Sequence, residues 1–103
     1  MPIRIDLKEA GYEGVWVEFR DGPYPFKDRR SILASVSDVT SLNIISQYIV
    51  AWNIRDVAGK LVEFDPKKGI ENFDELDDGI VITWLIRSWF DARNQRTKLP
   101  NAS

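Results

Sequence analysis

The densest group of ionisable side chains in this chain is the acidic run Asp74, Glu75, Asp77 and Asp78. Carboxylates that converge on one point can hold magnesium or calcium through several oxygens. A metal-dependent nuclease or other small enzyme built on Asp74, Asp77 and Asp78 is the catalytic reading of this run. Its spacing is not that of a calcium-binding loop, and acids are favoured at helix N-termini. The run therefore reads as a capped, acid-rich start to the last helix. The chain has no His and no Cys. That removes the commonest general base, the near-neutral switch, every thiolate metal site and any disulfide framework. A Ser or Thr nucleophile would need a Lys or carboxylate base, and no spacing supplies one. Neither a phosphate-cradling glycine loop nor a G-x-S-x-G elbow is present. The expectation is a protein that is not an enzyme and uses no cofactor and no metal.

Basic residues cluster at Lys27, Arg29 and Arg30 and again at Lys67 and Lys68. Neither cluster is interleaved with a stacking array of aromatics, and 14 basic against 16 acidic residues leave a net charge of −2. Phosphate binding needs clustered cations in excess, so both clusters read as solvated faces and no nucleic-acid partner is expected. The longest nearly uncharged stretch, Val39 to Ile54, is broken by Thr40, Ser41, Asn43, Ser46, Gln47 and Asn53. It is too short and too polar to span a bilayer. Met1-Pro2-Ile3-Arg4-Ile5-Asp6 lacks the basic and long apolar segments of a secretory signal, so a cytoplasmic protein without a membrane partner is expected.

With 103 residues the chain has room for one modest core, rich in aromatics: four Trp, five Phe and three Tyr. The expected fold class is α+β, a small antiparallel sheet with strands near 3–7, 15–20, 48–54 and 60–64 and helices near 27–47 and 78–93. Ile3, Ile5 and Leu7 alternate with Arg4 and Asp6, and Val15, Val17 and Phe19 with Trp16, Glu18 and Arg20. Trp16 falls on the face opposite Val15 and Val17, to be covered by a neighbouring element. Asp21-Gly22-Pro23-Tyr24-Pro25 stops the ladder. Phe26 to Val36 suits a helix on which Phe26, Arg29, Leu33 and Val36 share a face, with Ile32 beside them. Asp38 or Ser41 would cap a second helix reaching Gln47. Residues 48–54 are apolar on nearly both faces, which predicts a central strand. Arg55 to Lys60 would turn the chain back into a returning strand at 61–64, and Ile70, Phe73 and Leu76 mark a short helical turn.

The last helix is expected over 78–93, capped by Asp77. Ile80, Val81, Trp84, Leu85, Ser88 and Trp89 share a face that Ile82, Ile86 and Phe90 widen. So broad an apolar surface exceeds what one small sheet needs. Ile82, Ile86, Trp89 and Phe90 are therefore the candidate protein-binding residues, whether for a client or for a homo-oligomer. The single domain is placed at 1–93, with a polar, flexible tail at 94–103.

The segment Ile49-Val50-Ala51-Trp52-Asn53-Ile54-Arg55-Asp56-Val57-Ala58-Gly59-Lys60-Leu61 carries Trp52, Asn53, Asp56 and Gly59 in a W-N-hydrophobic-x-D-x-x-G-x-hydrophobic hairpin. It resembles the hairpin of tail assembly chaperones of long-tailed bacteriophages and prophages. The match covers about a dozen residues, and the looser order of elements covers roughly 15–93; the loop Asp21 to Pro25 has no counterpart. The resemblance implies a small α+β protein that binds the tape measure protein, and in many phages also the tail tube subunit, in the bacterial cytoplasm. It implies a protein that holds aggregation-prone helices soluble until the tube forms, is absent from the finished virion, and often has a longer frameshifted form. The alternative is a structural head–tail connector or tail-completion subunit that stays in the particle.

Overall fold

The computed structural model describes residues 1–96 and has an α+β architecture. Strands β1 (Ile3–Asp6), β2 (Trp16–Phe19) and β3 (Ile49–Trp52) form one antiparallel sheet in the order β1-β2-β3. Ile5 lies opposite Val17, and Val17 opposite Trp52. The period of two puts Ile5, Leu7, Val17 and Phe19 on the buried face. Arg4, Trp16 and Glu18 take the other. There Arg4 meets Glu18 at 3.1 Å and lays its guanidinium over the Trp16 ring at 4.1 Å. Trp16 is thus covered by a side chain of the adjacent strand, which contributes both its alkyl stem and a cation–π contact.

The helices are α1 (Phe26–Ala34), α2 (Asp38–Ile45) and α3 (Thr83–Arg96). A 3-10 segment, Pro66–Phe73, precedes α3, and a π turn, Asp78–Ile82, leads into it. α3 packs on β1 and β2 and also on α2, so it lies at the centre of the domain. Trp84, Leu85, Ser88, Trp89 and Ala92 are buried along it. The one hydroxyl in that row is satisfied internally, because Ser88 Oγ donates to the Trp84 carbonyl at 2.7 Å.

Several expectations are corrected. The sheet has three strands, with β2 at its centre and β3 at an edge. The register shifts between Glu18 and Phe19, so that Phe19 faces Ile49 and Glu18 faces Ala51, with Val50 as the extra residue of a bulge. Tyr48, Ile49, Trp52 and Ile54 are buried while Val50 is exposed, and strict alternation of 48–54 fails for that reason. The expected strand at 60–64 is reduced to one bridge, Arg55 to Leu61. Val62 N–H still donates to the Ile54 carbonyl at 2.9 Å, but the Val62 carbonyl is taken by the Trp52 indole N–H at 2.8 Å. A side chain has captured the acceptor that a continuing ladder would need.

Between residues 27 and 47 the helix breaks at Ser35–Ser37, and Ser37 caps α2 by accepting from Val39 N–H at 3.2 Å. The cap is neither Asp38 nor Ser41. At the other end of the chain α3 continues to Arg96, beyond the expected boundary at 93, and Arg96 reaches Asp21 at 3.3 Å. The remainder of the expected flexible tail, residues 97–103, lies outside the described residues.

Asp77 does cap the start of the last helix. One carboxylate oxygen accepts from Gly79 N–H at 2.9 Å, and the other accepts the Tyr12 hydroxyl at 2.6 Å. That second bond, across 65 residues of chain, ties the β1–β2 connection to the helix entrance. It holds the Asp77 carboxyl below its ordinary 3.8 and raises the Tyr12 hydroxyl above 10.0. A depressed acid contributes stability that is present above its unfolded value and lost as pH falls through the folded one. A raised phenol contributes stability that is present below its unfolded value and lost as pH rises. Tyr12→Phe is therefore expected to lower the urea midpoint by a constant amount between roughly pH 5 and 9. Below 3.8, in acid titrations of both proteins, the gap should close.

Candidate protein-binding surface

Of the residues expected to grip a partner, Trp89 is fully enclosed and Ile82 is 6% exposed. Ile86 and Phe90 are half-buried and pack against the core. The Trp89 ring meets Tyr24 at 5.5 Å, Tyr48 at 5.5 Å and Phe90 at 5.1 Å between centroids. The expectation of a free face on α3 is corrected by this packing. The helix has the sheet on one side and α2 with the two tyrosines on the other, so its broad apolar surface is spent inside the monomer.

Exposed apolar side chains run along α1 and the start of α2, and others stand at Met1, Val50, Val57, Leu61 and Ile80. Ile32 is the one buried residue of α1. Phe26 and Leu33 are each 62% exposed, Val36 is fully exposed, and Val39 is 60% exposed. This is the apolar stripe of the first helix, turned outward. Lys27 and Arg30 are exposed beside it, and the Arg29 guanidinium lies over the Phe26 ring at 5.0 Å. A cation-flanked apolar helix face suits an amphipathic helix with acidic margins. α1 is anchored from behind by a short hydrogen bond from the Tyr48 hydroxyl to the Asp28 carboxylate. Burial, and then that bond, push the Tyr48 hydroxyl far above the ordinary phenol range.

The hairpin residues are structural in this fold. Trp52 is buried between Phe64 and Phe73, at 5.0 and 5.7 Å. Asn53 Oδ1 accepts Trp16 N–H at 2.7 Å while its Nδ2 donates to the Gly14 carbonyl at 2.7 Å, clamping the end of β3 to the entry of β2. Asp56 Oδ1 accepts both Ala58 N–H and Lys60 N–H at 2.9 Å, closing the loop as an Asx turn. Gly59 completes it at φ 86°, where a Cβ would be strained. The W-N…D…G spacing thus encodes one clamp and one turn.

In the acidic run Asp77 has both oxygens engaged, and among the described residues no three His, Cys, Asp or Glu side chains gather where they could hold a metal. Among the same residues no helix is long and apolar enough to cross a membrane. No family model, no curated protein and no solved structure matches the chain. The fold and surface together define a small α+β domain with a cation-flanked apolar face.

Sequence reasoning missed that face because Phe26, Leu33 and Val36 carry the same periodicity whether covered or bare. The available signal was the cluster Lys27, Arg29 and Arg30 within the stripe, which a buried helix would not carry.

Two substitutions separate core from surface. Trp89→Ala should destabilise the domain by roughly 3–5 kcal/mol in denaturant titration, as for large-to-small core changes. Leu33→Ser should move stability by no more than about 0.5 kcal/mol. Asn53→Ala strips the partly buried Trp16 N–H and the exposed Gly14 carbonyl of their partner and should cost about 1–3 kcal/mol in the same measurement.

Proposed function

We propose that this protein is a tail assembly chaperone of a long-tailed bacteriophage or prophage, a binding protein without catalytic activity whose client is the tape measure protein. The observation that carries the reading is the exposed stripe Phe26, Leu33, Val36 and Val39 with Lys27 and Arg30 at its margin. A holdase needs apolar area to cover a client helix, limited enough that the holdase stays dispersed. Phe26 and Leu33 are seven residues apart, two helical turns, which matches the spacing of anchors on an amphipathic partner. Further support comes from the hairpin of residues 49–61, whose Trp, Asn, Asp and Gly each have a defined structural duty and which resembles the hairpin of that family. The host cytoplasm is the compartment this role requires.

The test is co-expression of the full chain with the long helical protein encoded beside it, read as the soluble fraction of that client. The wild-type chain should raise solubility, and Phe26→Ser with Leu33→Ser should abolish the gain while leaving the chaperone folded. Val57→Ser, at an exposed apolar residue away from α1, should leave the gain intact. No gain with wild-type protein would refute the reading. Recovery of the chain from purified virions by mass spectrometry would assign it instead to the connector or completion subunits.

A further inference from the structure

A second surface, on different elements, has the features of a peptide site. The outer edge of β1 and the side of α3 enclose an open cleft of about 660 Å³. Leu7 N–H donates to the Val15 carbonyl at 2.9 Å, and Ile5 lies opposite Val17 in the same ladder. In an antiparallel pair the hydrogen-bonded positions alternate, so Ile3, Ile5 and Leu7 direct their backbone groups toward β2. The N–H and C=O of Arg4 and Asp6 then point the other way, into the cleft. Among the described residues none pairs with them.

The opposite wall is the exposed row Thr83, Arg87 and Asp91, one residue from each successive turn of α3. Trp84 lines the bottom. It is 6% exposed. The charged residues of the cleft, Arg4, Asp6, Lys8, Glu9, Arg87 and Asp91, balance in sign. A nucleic-acid strand would require cations in excess, and an apolar small molecule would require an apolar lining. A free strand edge recognises a third chemistry, the repeating N–H and C=O of extended polypeptide.

We propose that this cleft accepts one extended segment of another protein, added as a fourth strand on the free edge of β1 between that edge and the Thr83–Arg87–Asp91 row. The segment carries mixed charge, with an acid opposite Arg87 and a base opposite Asp91. The site is independent of the α1 face. It takes a client in extended conformation, where the α1 face takes a helix, and either can fail without the other.

The probe is a displayed library of random peptides of about 12 residues, long enough to span an edge strand, selected against the full chain. Selected peptides should protect the Arg4 and Asp6 amides from hydrogen exchange and shift the Trp84 indole resonance. Asp6→Pro removes an N–H that β2 does not use and should weaken binding by about tenfold or more. Arg87→Glu, which reverses a charge on the opposite wall, should weaken it by a factor of roughly 3 to 10. Leu33→Ser should leave it unchanged. Circular dichroism checks that Asp6→Pro is folded; if it is not, Arg87→Glu and Asp91→Lys carry the test. Failure to select any binder at about 1 mM peptide, or binders indifferent to these changes, would overturn the proposal. So would Arg4 and Asp6 amides already protected in the free chain. In that case release on removing residues 97–103 would identify the chain's own end as the occupant, and release on dilution a second copy.

Discussion

The fold depends on how the Trp89 ring is enclosed. Tyr24 and Tyr48 close on it from the loop before α1 and from the start of β3, and their own rings stand 4.6 Å apart. Three distant parts of the chain are fixed relative to one another by that contact. The Tyr24 hydroxyl returns to the Arg20 carbonyl at 2.8 Å, so the proline-bearing loop is locked to the end of β2. Arg20 N–H donates to the Tyr48 carbonyl at 2.9 Å, which seats β3 beside β2. The Arg20 guanidinium then covers Tyr48 at 4.3 Å, and Arg96 covers Tyr24 at 5.0 Å. A desolvated aromatic cluster of this kind contributes both buried area and ring-edge geometry. From Tyr48 the constraint passes outward to Asp28 and positions α1 on the domain surface.

Local features were legible wherever a rule acts within a few residues. Alternation of Ile3, Ile5, Leu7, Val17 and Phe19 placed β1 and β2 correctly, because the buried face of a short antiparallel pair is set by period alone. Asp77 read correctly as a cap because the carboxylate needs only its own next N–H groups. Reasoning failed where a distant partner decides. The Val50 bulge cannot be seen in a row of apolar residues, since β-branched and aromatic side chains at 48–54 fit either register. The 60–64 ladder stops because Trp52, ten residues earlier in the chain, takes the Val62 carbonyl.

The candidate site shows the same division more sharply. Periodicity identified two apolar stripes, on α1 and on α3, and gave no means of deciding which would be covered. The wider stripe was assigned to a partner and the narrower one to neither role. Folding covers the wider one, because a helix apolar around most of its circumference is stable only when flanked on two sides. α3 takes that central place and leaves α1, with its interspersed Lys and Arg residues, on the outside. Within the hairpin segment Trp52, Asn53, Asp56 and Gly59 serve the scaffold, while Val50, Val57 and Leu61 of the same segment are exposed.

The bulge at Val50 has a consequence for how copies of the domain meet. Head-to-tail growth into a fibre requires two competent and different sheet borders on each subunit. Beside β3 the extra residue breaks the hydrogen-bonding register, and the Val62 carbonyl is sequestered by an indole. One border is therefore blunted, and only the margin of β1 is regular. Pairing of copies through the sheet is thereby directed to the β1 margins, edge to edge, rather than to head-to-tail growth.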